Sequence, residues 1–284
     1  PGCKPIFAAL DNGRVKLHVA AIDKSGYKEP STCMFTRKQY YYEMKHGVRK
    51  RWEQDRVSSQ PMLKAVLDQL STTNGLGNCD PESWDAYLSI DAQHAGLLEE
   101  EYIKNIDRAL WKMRMFRLKR RSLDRGVQTL MTSALKDEPI ERPFAFAVGN
   151  AGFPCNGKRG ELPAPTAQLT LAYKRALNRV ARTGRKVFIY SLDEYNTTKC
   201  CCACGSETVR PIVTHRYKQT DGTIVERDEP SRRLRQCTEC GPVVMCRDRD
   251  IQASRNILWV LQAEFYGSPR PCYLQRPKKY REDA

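Results

Sequence analysis

Asp193-Glu194-Tyr195-Asn196-Thr197-Thr198-Lys199 runs into Cys201-x-x-Cys204-Gly205, continues to Cys237-x-x-Cys240-Gly241, and leads into Arg249-Asp250-Ile251-Gln252-Ala253-Ser254-Arg255-Asn256-Ile257. Two Cys-x-x-Cys-Gly knuckles in one segment are the signature of a single tetrahedral Zn²⁺ site, because each two-residue turn aims two thiolates at the same point. Four thiolates leave no open position for water, so this zinc is expected to be structural. Cys200 and Cys202 crowd the first knuckle and Cys246 follows the second, which leaves room for a register shift of one. Gly205 mirrors Gly241, and that symmetry favours Cys201, Cys204, Cys237 and Cys240 as the ligands. The second pair speaks against a thioredoxin-type redox role. Acids bracket the cysteine-rich insert on both sides, which points to a second metal site.

Outward from this segment the chain alternates strand and helix. Val187 to Leu192 reads as a buried strand ending at Asp193 and Glu194. The preceding helix carries Leu169, Tyr173, Ala176, Leu177 and Val180 on one face, with Thr166 as N-cap and Gly184 closing it. Pro143 to Val148 is a second buried strand, followed by a loop with Gly149, Gly152, Pro154, Gly157, Gly160 and Pro163. At the start, Ile6 to Leu10 is a buried strand, Asn12-Gly13 a tight turn, and Val15 to Ile22 the returning strand. From about Thr36 to Ala134 helical patterns dominate, interrupted at Pro61, Gly75-Leu76-Gly77 and Pro81, with Leu97 to Leu135 one long or broken helix. A final helix runs from about Asp248 to Phe265. A strand hairpin, a helical insertion, then strand, helix, strand and helix suit an RNase H-like α/β sheet, although periodicity alone leaves other α/β topologies open.

With 284 residues the chain can bury a sizeable core. Lys and Arg number 48 against 33 acids, a net charge of +15 that attracts polyanions by counterion release. Nucleic acid is the leading partner; the basic residues are not gathered beside an apolar anchor, as a membrane surface would require. No apolar run approaches the ~18 residues needed to span a bilayer. Of the twelve cysteines four stand in two Cys-x-x-Cys pairs, and with no export signal expected the set reads as reduced thiols plus zinc. Nine Lys or Arg lie between Lys104 and Arg125, among them Arg108, Lys112, Arg117, Lys119, Arg120 and Arg121. Tyr102, Ile106, Leu110, Met113 and Phe116 interleave with them at helical spacing, an apolar stripe expected to pack in a core. The cationic faces, with Arg232, Arg233 and Arg235 beside the second knuckle, are expected to follow a nucleic-acid backbone, or else to be merely solvated. The four histidines, His18, His46, His94 and His215, show no ligand spacing.

Asp250 is notable on geometry alone. Ala253, Ser254, Ile257, Leu258 and Leu261 follow it at +3, +4, +7, +8 and +11, so its carboxylate projects from the core-facing stripe. The same count from Asp248 gives Ile251, Gln252, Arg255 and Asn256, a wet face, and Asp248 reads as an N-terminal helix acid favoured by the macrodipole. Asp11, at the end of the first strand, reads by itself as an ordinary hairpin-turn Asp.

Asp193-Glu194-x-x-Thr197-Thr198 before the first knuckle, the paired knuckles and Asp250-x-x-Ala253-Ser254-x-Asn256-Ile257 after them resemble the C-terminal part of the RuvC-like nuclease domain of TnpB and Fanzor proteins and the related type V CRISPR effectors, with the eukaryotic Fanzor pattern fitting best. Cleavage of a phosphodiester by two metal ions needs three or four carboxylates converging on ions ~4 Å apart, and Mg²⁺ suits such hard oxygen ligands. The resemblance implies Asp11, Glu194 and Asp250 as catalytic Mg²⁺ ligands. TnpB proteins carry a Glu at the end of the strand assigned to Phe144 to Val148, where this chain has Gly149 and Asn150; Fanzor proteins are similar to this chain in a relocated glutamate at Glu194. Alternation along the strand allows only one of Asp193 and Glu194 to face the metals readily. The implied activity is an RNA-guided DNA endonuclease with guide RNA and target DNA as partners, one protein chain per complex, located in the nucleus. Pro277-Lys278-Lys279-Tyr280-Arg281 is a candidate nuclear localisation signal. The expected parts are RuvC-like residues 1–35, a helical insertion 36–140, RuvC-like residues 141–197, a zinc ribbon 198–246 and RuvC-like residues 247–284. The chain is expected to be the nuclease portion of a longer protein. A nuclease-dead, transposon-derived binding protein is the alternative, with Gly149 as its best argument. A purely structural zinc-ribbon adaptor would not need Asp250 on a core face.

Overall fold

The structure, a computed structural model, describes residues 3–24, 29–73, 80–150, 163–219, 222–240 and 245–277. The chain divides into two units, residues 38–122 and the remainder. Gly75 to Gly77, the glycine loop at 152–160, Gly241 and the basic tail at 278–281 lie outside the described residues.

The larger unit is built on a five-stranded mixed sheet. β1 (Ile6–Asp11) and β2 (Lys16–Asp23) form the expected hairpin, and β3 (Ser31–Thr36) continues it antiparallel to β2. β3 was not expected as a strand. Its exposed, exposed, buried, exposed, buried alternation is that of an edge strand with one covered face. β4 (Phe144–Gly149) adds parallel to β1 and β5 (Val187–Leu192) parallel to β4, giving the order β3-β2-β1-β4-β5. The C-terminal ends of β1, β4 and β5 therefore lie at the same end of the sheet.

The two sheet faces are covered differently. α8 (Arg249–Tyr266) packs on Phe7, Ala9, Ala21, Ala145 and Ala147 through Ile257, Leu258 and Leu261. Those small alanines let the helix approach closely. α7 (Thr166–Arg182) buries Leu169, Tyr173, Ala176 and Leu177, with Tyr173 against Phe146 and His18. Its N-cap is Pro165 rather than Thr166, which is already helical, and Gly184 takes the left-handed conformation just beyond its end. β5 departs from the expected buried strand: it is the sheet edge, and Ile189 is 62% exposed. A short, largely apolar run cannot by itself distinguish a central strand from an edge.

The smaller unit is helical. It contains most of α1 (Arg37–Glu43), then α2 (His46–Ser58), α3 (Pro61–Thr73), α4 (Pro81–Gln93), α5 (Ala95–Glu99) and a π-helical turn at Glu100–Lys104. α6 (Ile106–Leu135) begins at Asn105, whose Oδ1 accepts hydrogen bonds from the backbone N–H groups of Asp107 and Arg108. Pro61 and Pro81 stand at the first positions of their helices, where no backbone donor is lost. The expected insertion boundary at 140 contrasts with the division at Ser122, because Val127, Leu130 and Ala134 are buried in the sheet unit and Gly126 lies against Phe35.

Two expectations for this unit are corrected. Ile106, Leu110, Met113 and Phe116 do not form a core stripe; all four are exposed, Ile106 at 68%. The buried side of this part of α6 carries Arg108 and Met115. Arg108 is accordingly no surface contact for nucleic acid: it is 4% exposed, donates at 2.6 Å to both Glu53 and Glu101, and stacks 4.1 Å from the Tyr102 ring centre. Burial would raise the Glu101 carboxyl, but hydrogen bonds from Arg56, Arg108 and Gln60 outweigh it and hold it down at about 2. Lys112, Arg117, Lys119, Arg120 and Arg121 are exposed.

Candidate functional site

Alternation along the sheet directs one set of strand ends into a cleft. Phe7 and Ala9 of β1, Ala145 and Ala147 of β4, and Tyr190 and Leu192 of β5 face α8, so the next residues in phase are Asp11, Gly149 and Glu194. α8 brings Asp250 to the same place in its first turn. Asp11, Glu194 and Asp250 line a cleft of about 700 Å³, together with Asn150 and Asp193. They come from chain segments far apart in sequence. The geometry joins all three expected acids.

Asp11 is buried, and its carboxyl is raised well above the usual carboxylate range. Burial is the largest cause, followed by the negative charges of Glu194 and Asp250; Arg249 and Lys16 oppose it. Crowded carboxylates repel unless a cation lies among them. Lys16 supplies part of that charge, with Nζ 2.5 Å from Asp248 Oδ1 and 3.5 Å from Asp250 Oδ2, and Arg249 lies 3.5 Å from Asp250 Oδ1. Asp250 is half-buried at the cleft wall, whereas the residues that follow it at helical spacing are fully covered. Asp248 is the N-cap of α8, its Oδ1 accepting from the N–H groups of Asp250 and Ile251.

Asp193 and Glu194 take different partners. Arg276 holds Asp193 with two hydrogen bonds of 2.6 and 2.8 Å, which lowers its carboxyl, and Arg270 donates to its backbone oxygen. Glu194 instead turns over Gly149. The cleft is also lined by six cations, Arg14, Lys16, Arg232, Arg233, Arg249 and Arg276. Arg232 and Arg233 were among the expected contacts. Arg235 lies beside them half-buried, its guanidinium lowered by burial and by the like charges of Arg210 and Arg249. Sequence reasoning missed Arg14, Lys16, Arg249 and Arg276. The signal for two of these was closeness in sequence: Arg14 and Lys16 follow Asp11 around the hairpin.

The four cysteines converge as the knuckle spacing requires. The Sγ atoms of Cys201, Cys204, Cys237 and Cys240 all lie within 4.8 Å of one another, with Cys204 to Cys237 at 3.5 Å and Cys201 to Cys240 at 3.6 Å. Tetrahedral zinc with ~2.3 Å bonds sets sulfurs about 3.8 Å apart, so the cluster fits such an ion. The side chain of Cys246 lies outside those described, and the two described neighbours take other partners. Cys200 Sγ faces the Tyr273 carbonyl and Cys202 Sγ accepts from Arg247 at 3.0 Å. Gly205 is left-handed at φ +80°, and a Cβ there would also strike the Tyr273 ring. Beyond the first knuckle, β6 (Ile212–Lys218) and β7 (Ile224–Pro230) form a hairpin, and β8 (Leu234–Cys237) pairs with β9 (Met245–Asp248) on the way into α8.

One expectation on α8 fails. Gln252 and Asn256 are not on a wet face; both are buried and donate to backbone carbonyls of the segment between Glu194 and Cys201. Helical periodicity marks polar residues as exposed by default, and a second layer that covers them leaves no trace in that pattern.

No family model matches the chain, and no curated protein matches it.

Proposed function

We propose that this chain is the RuvC-like nuclease portion of an RNA-guided DNA endonuclease of the Fanzor kind. The observation that carries the reading is the meeting of Asp11, Glu194 and Asp250, from three distant segments, in one cleft whose remaining lining is rich in arginine. Three acids under cationic walls are what metal-assisted attack on a phosphodiester demands. The sheet supports the RNase H-like assignment: an antiparallel hairpin, two further parallel strands and a helix on each face. The guide RNA, the target DNA and a nuclear location rest on the family resemblance and on the net charge of +15.

The donor chemistry fits two kinds of ion. Three carboxylates suit Mg²⁺, and four thiolates suit a structural Zn²⁺. Bound Mg²⁺ would polarise the phosphate and lower the pKa of a water molecule. The chain's own part is to hold the three carboxylates on rigid strand ends and a helix terminus. Lys16 and Arg249 offset their charge, and Arg14, Arg232 and Arg233 receive the flanking phosphates. The missing acid at Gly149 favours a nuclease-dead protein, and the Glu194 carboxylate over that position counters it.

The deciding experiment supplies the complex with guide and target. Asp250→Ala should abolish Mg²⁺-dependent cleavage with little loss of nucleic-acid binding, because a metal ligand is removed and not a backbone contact. A parent complex inert across Mg²⁺ and Mn²⁺ decides for the binding-protein alternative.

A further inference from the structure

Asn256 lies on the same helix as Asp250 and is wholly buried. Its Nδ2 donates two hydrogen bonds of 2.8 Å, one to the backbone oxygen of Thr197 and one to that of Cys200. Thr197 in turn donates twice to the backbone oxygen of Glu194, through its N–H at 3.2 Å and its hydroxyl at 2.9 Å. Cys200 directly precedes the first cysteine of the cluster. The segment from Glu194 to Cys201 is folded into tight turns, with Asn196 left-handed at φ 60° and bonds from Lys199 and Cys200 back to the Asn196 oxygen. Trp259, on the same helix, adds a bond of 2.9 Å to the Cys202 oxygen. A single buried amide thus satisfies two carbonyls, one on the Glu194 side of the turns and one on the cysteine side. The side chain is specified chemically: aspartate has the same shape and no donor, and would aim an oxygen at two carbonyl oxygens.

We propose that Asn256 is a positioning residue that ties the four-cysteine cluster to Glu194, so that the metal state of the cluster sets where the Glu194 carboxylate stands. This rests on the nuclease reading for the importance of Glu194, and on hydrogen bonds alone for the tether. The segment between the two sites is too short, and too fully bonded, to absorb a shift at one end. Release of zinc from the thiolates frees Cys201, loosens the turns that Asn256 clamps, and lets the acid leave its place over Gly149.

Mn²⁺ binding to the zinc-loaded full chain, followed by electron paramagnetic resonance, reads this without any cleavage assay. Asn256→Asp should weaken Mn²⁺ about tenfold or more, the size usual for an outer-shell partner of a metal ligand. In a Glu194→Gln background the same substitution should weaken it no further, since the ligand through which it acts is already lost. Equal weakening in both backgrounds marks a merely structural role and overturns the proposal, as does no weakening in either. Removing zinc from the parent with a chelator under reducing conditions, then dialysing the chelator away, tests the link without a substitution: Mn²⁺ affinity should fall by a similar factor, and unchanged affinity overturns it. A parent that binds no Mn²⁺ defeats the nuclease reading instead. The tether is then read by amide exchange across residues 195–200, where faster exchange on zinc removal supports it and equal exchange overturns it.

Discussion

Glu194 fills the space above Gly149: a Cβ at residue 149 would stand 1.6 Å from Glu194 Oε1. Gly149 belongs to a regular strand in ladder with β5, so the absence of a side chain there serves the neighbour's carboxylate and not an unusual backbone. Gly149→Ala should leave the fold intact and displace Glu194, lowering cleavage by at least about tenfold, as misplacement of a reacting group does. A partial return of activity is expected from Gly149→Glu combined with Glu194→Ala, which restores an acid to the same volume from the adjacent strand. Single-turnover cleavage rates check both, and parental activity in Gly149→Ala rules the arrangement out.

Glu194→Gln should match Asp250→Ala, each reducing cleavage by more than about a hundredfold, since a neutral amide or a methyl group cannot replace a charged metal ligand. Asp193→Asn should be far milder. Its carboxylate is engaged by Arg276, so the change loosens a surface-facing ion pair and not the acid cluster. Rates measured side by side at saturating Mg²⁺ separate the two; a severe Asp193→Asn phenotype would transfer the third-acid role from Glu194 to its neighbour.

How far these sites were legible depended on where the information lay. Cys201, Cys204, Cys237 and Cys240 were readable because spacing alone aims thiolates at one point, and Asp250 because its following residues trace a buried stripe. Glu194 needed a family resemblance, since only the neighbouring strand shows that Gly149 leaves it room. Periodicity also misdirects. The stripe through Ile106 and Phe116 has perfect helical spacing and is exposed, while Arg108 between its members is buried among carboxylates. Tertiary partners decide which face of a helix is inside, and Asn256 shows the same lesson on α8.

Binding of DNA or an RNA–DNA hybrid should weaken steeply with salt. Each phosphate contact contributes about 0.9 to the slope of log affinity against log salt, so Arg232→Ala with Arg233→Ala should flatten it by about 2. Charge reversal at Arg117, Lys119 and Arg120 should flatten it as well if these exposed groups follow a backbone, and an unchanged slope makes them a solvated face. Arg108→Gln should behave oppositely, leaving the slope alone while costing about 3 kcal/mol of stability, because Glu53 and Glu101 would lose a shared buried partner. Titrations at several salt concentrations with parallel thermal melts distinguish these cases.

About one zinc per chain should be found by elemental analysis. Cys204→Ala and Cys237→Ala should each lower the melting temperature, since metal-binding energy contributes directly to folding of the knuckle segment. Cys202→Ala should retain the metal, because that sulfur accepts from Arg247 and lies outside the cluster. Zinc stoichiometry unaltered by Cys204→Ala would overturn the ligand assignment.

His18 gives a pH dependence that is independent of both metals. It is wholly buried in β2, its Nδ1 bonded to the Tyr173 hydroxyl from α7 and its ring against Phe35 of β3, and burial lowers its pKa to about 4. The unfolded chain titrates this group near 6.5, so between pH 6.5 and 4 it binds more protons unfolded than folded, and stability falls as pH falls. The contribution is complete above pH 6.5 and is lost progressively down to about pH 4, below which this group adds no further slope. About 2.5 pH units at 1.36 kcal/mol each make the loss about 3 kcal/mol. Denaturant unfolding of the parent and of His18→Asn, measured from pH 7.5 to 4, should show a total fall in stability smaller by that amount in the variant, whatever its absolute stability. Parallel curves would mean that His18 titrates in the folded chain as it does in the unfolded one, and would overturn the lowered pKa.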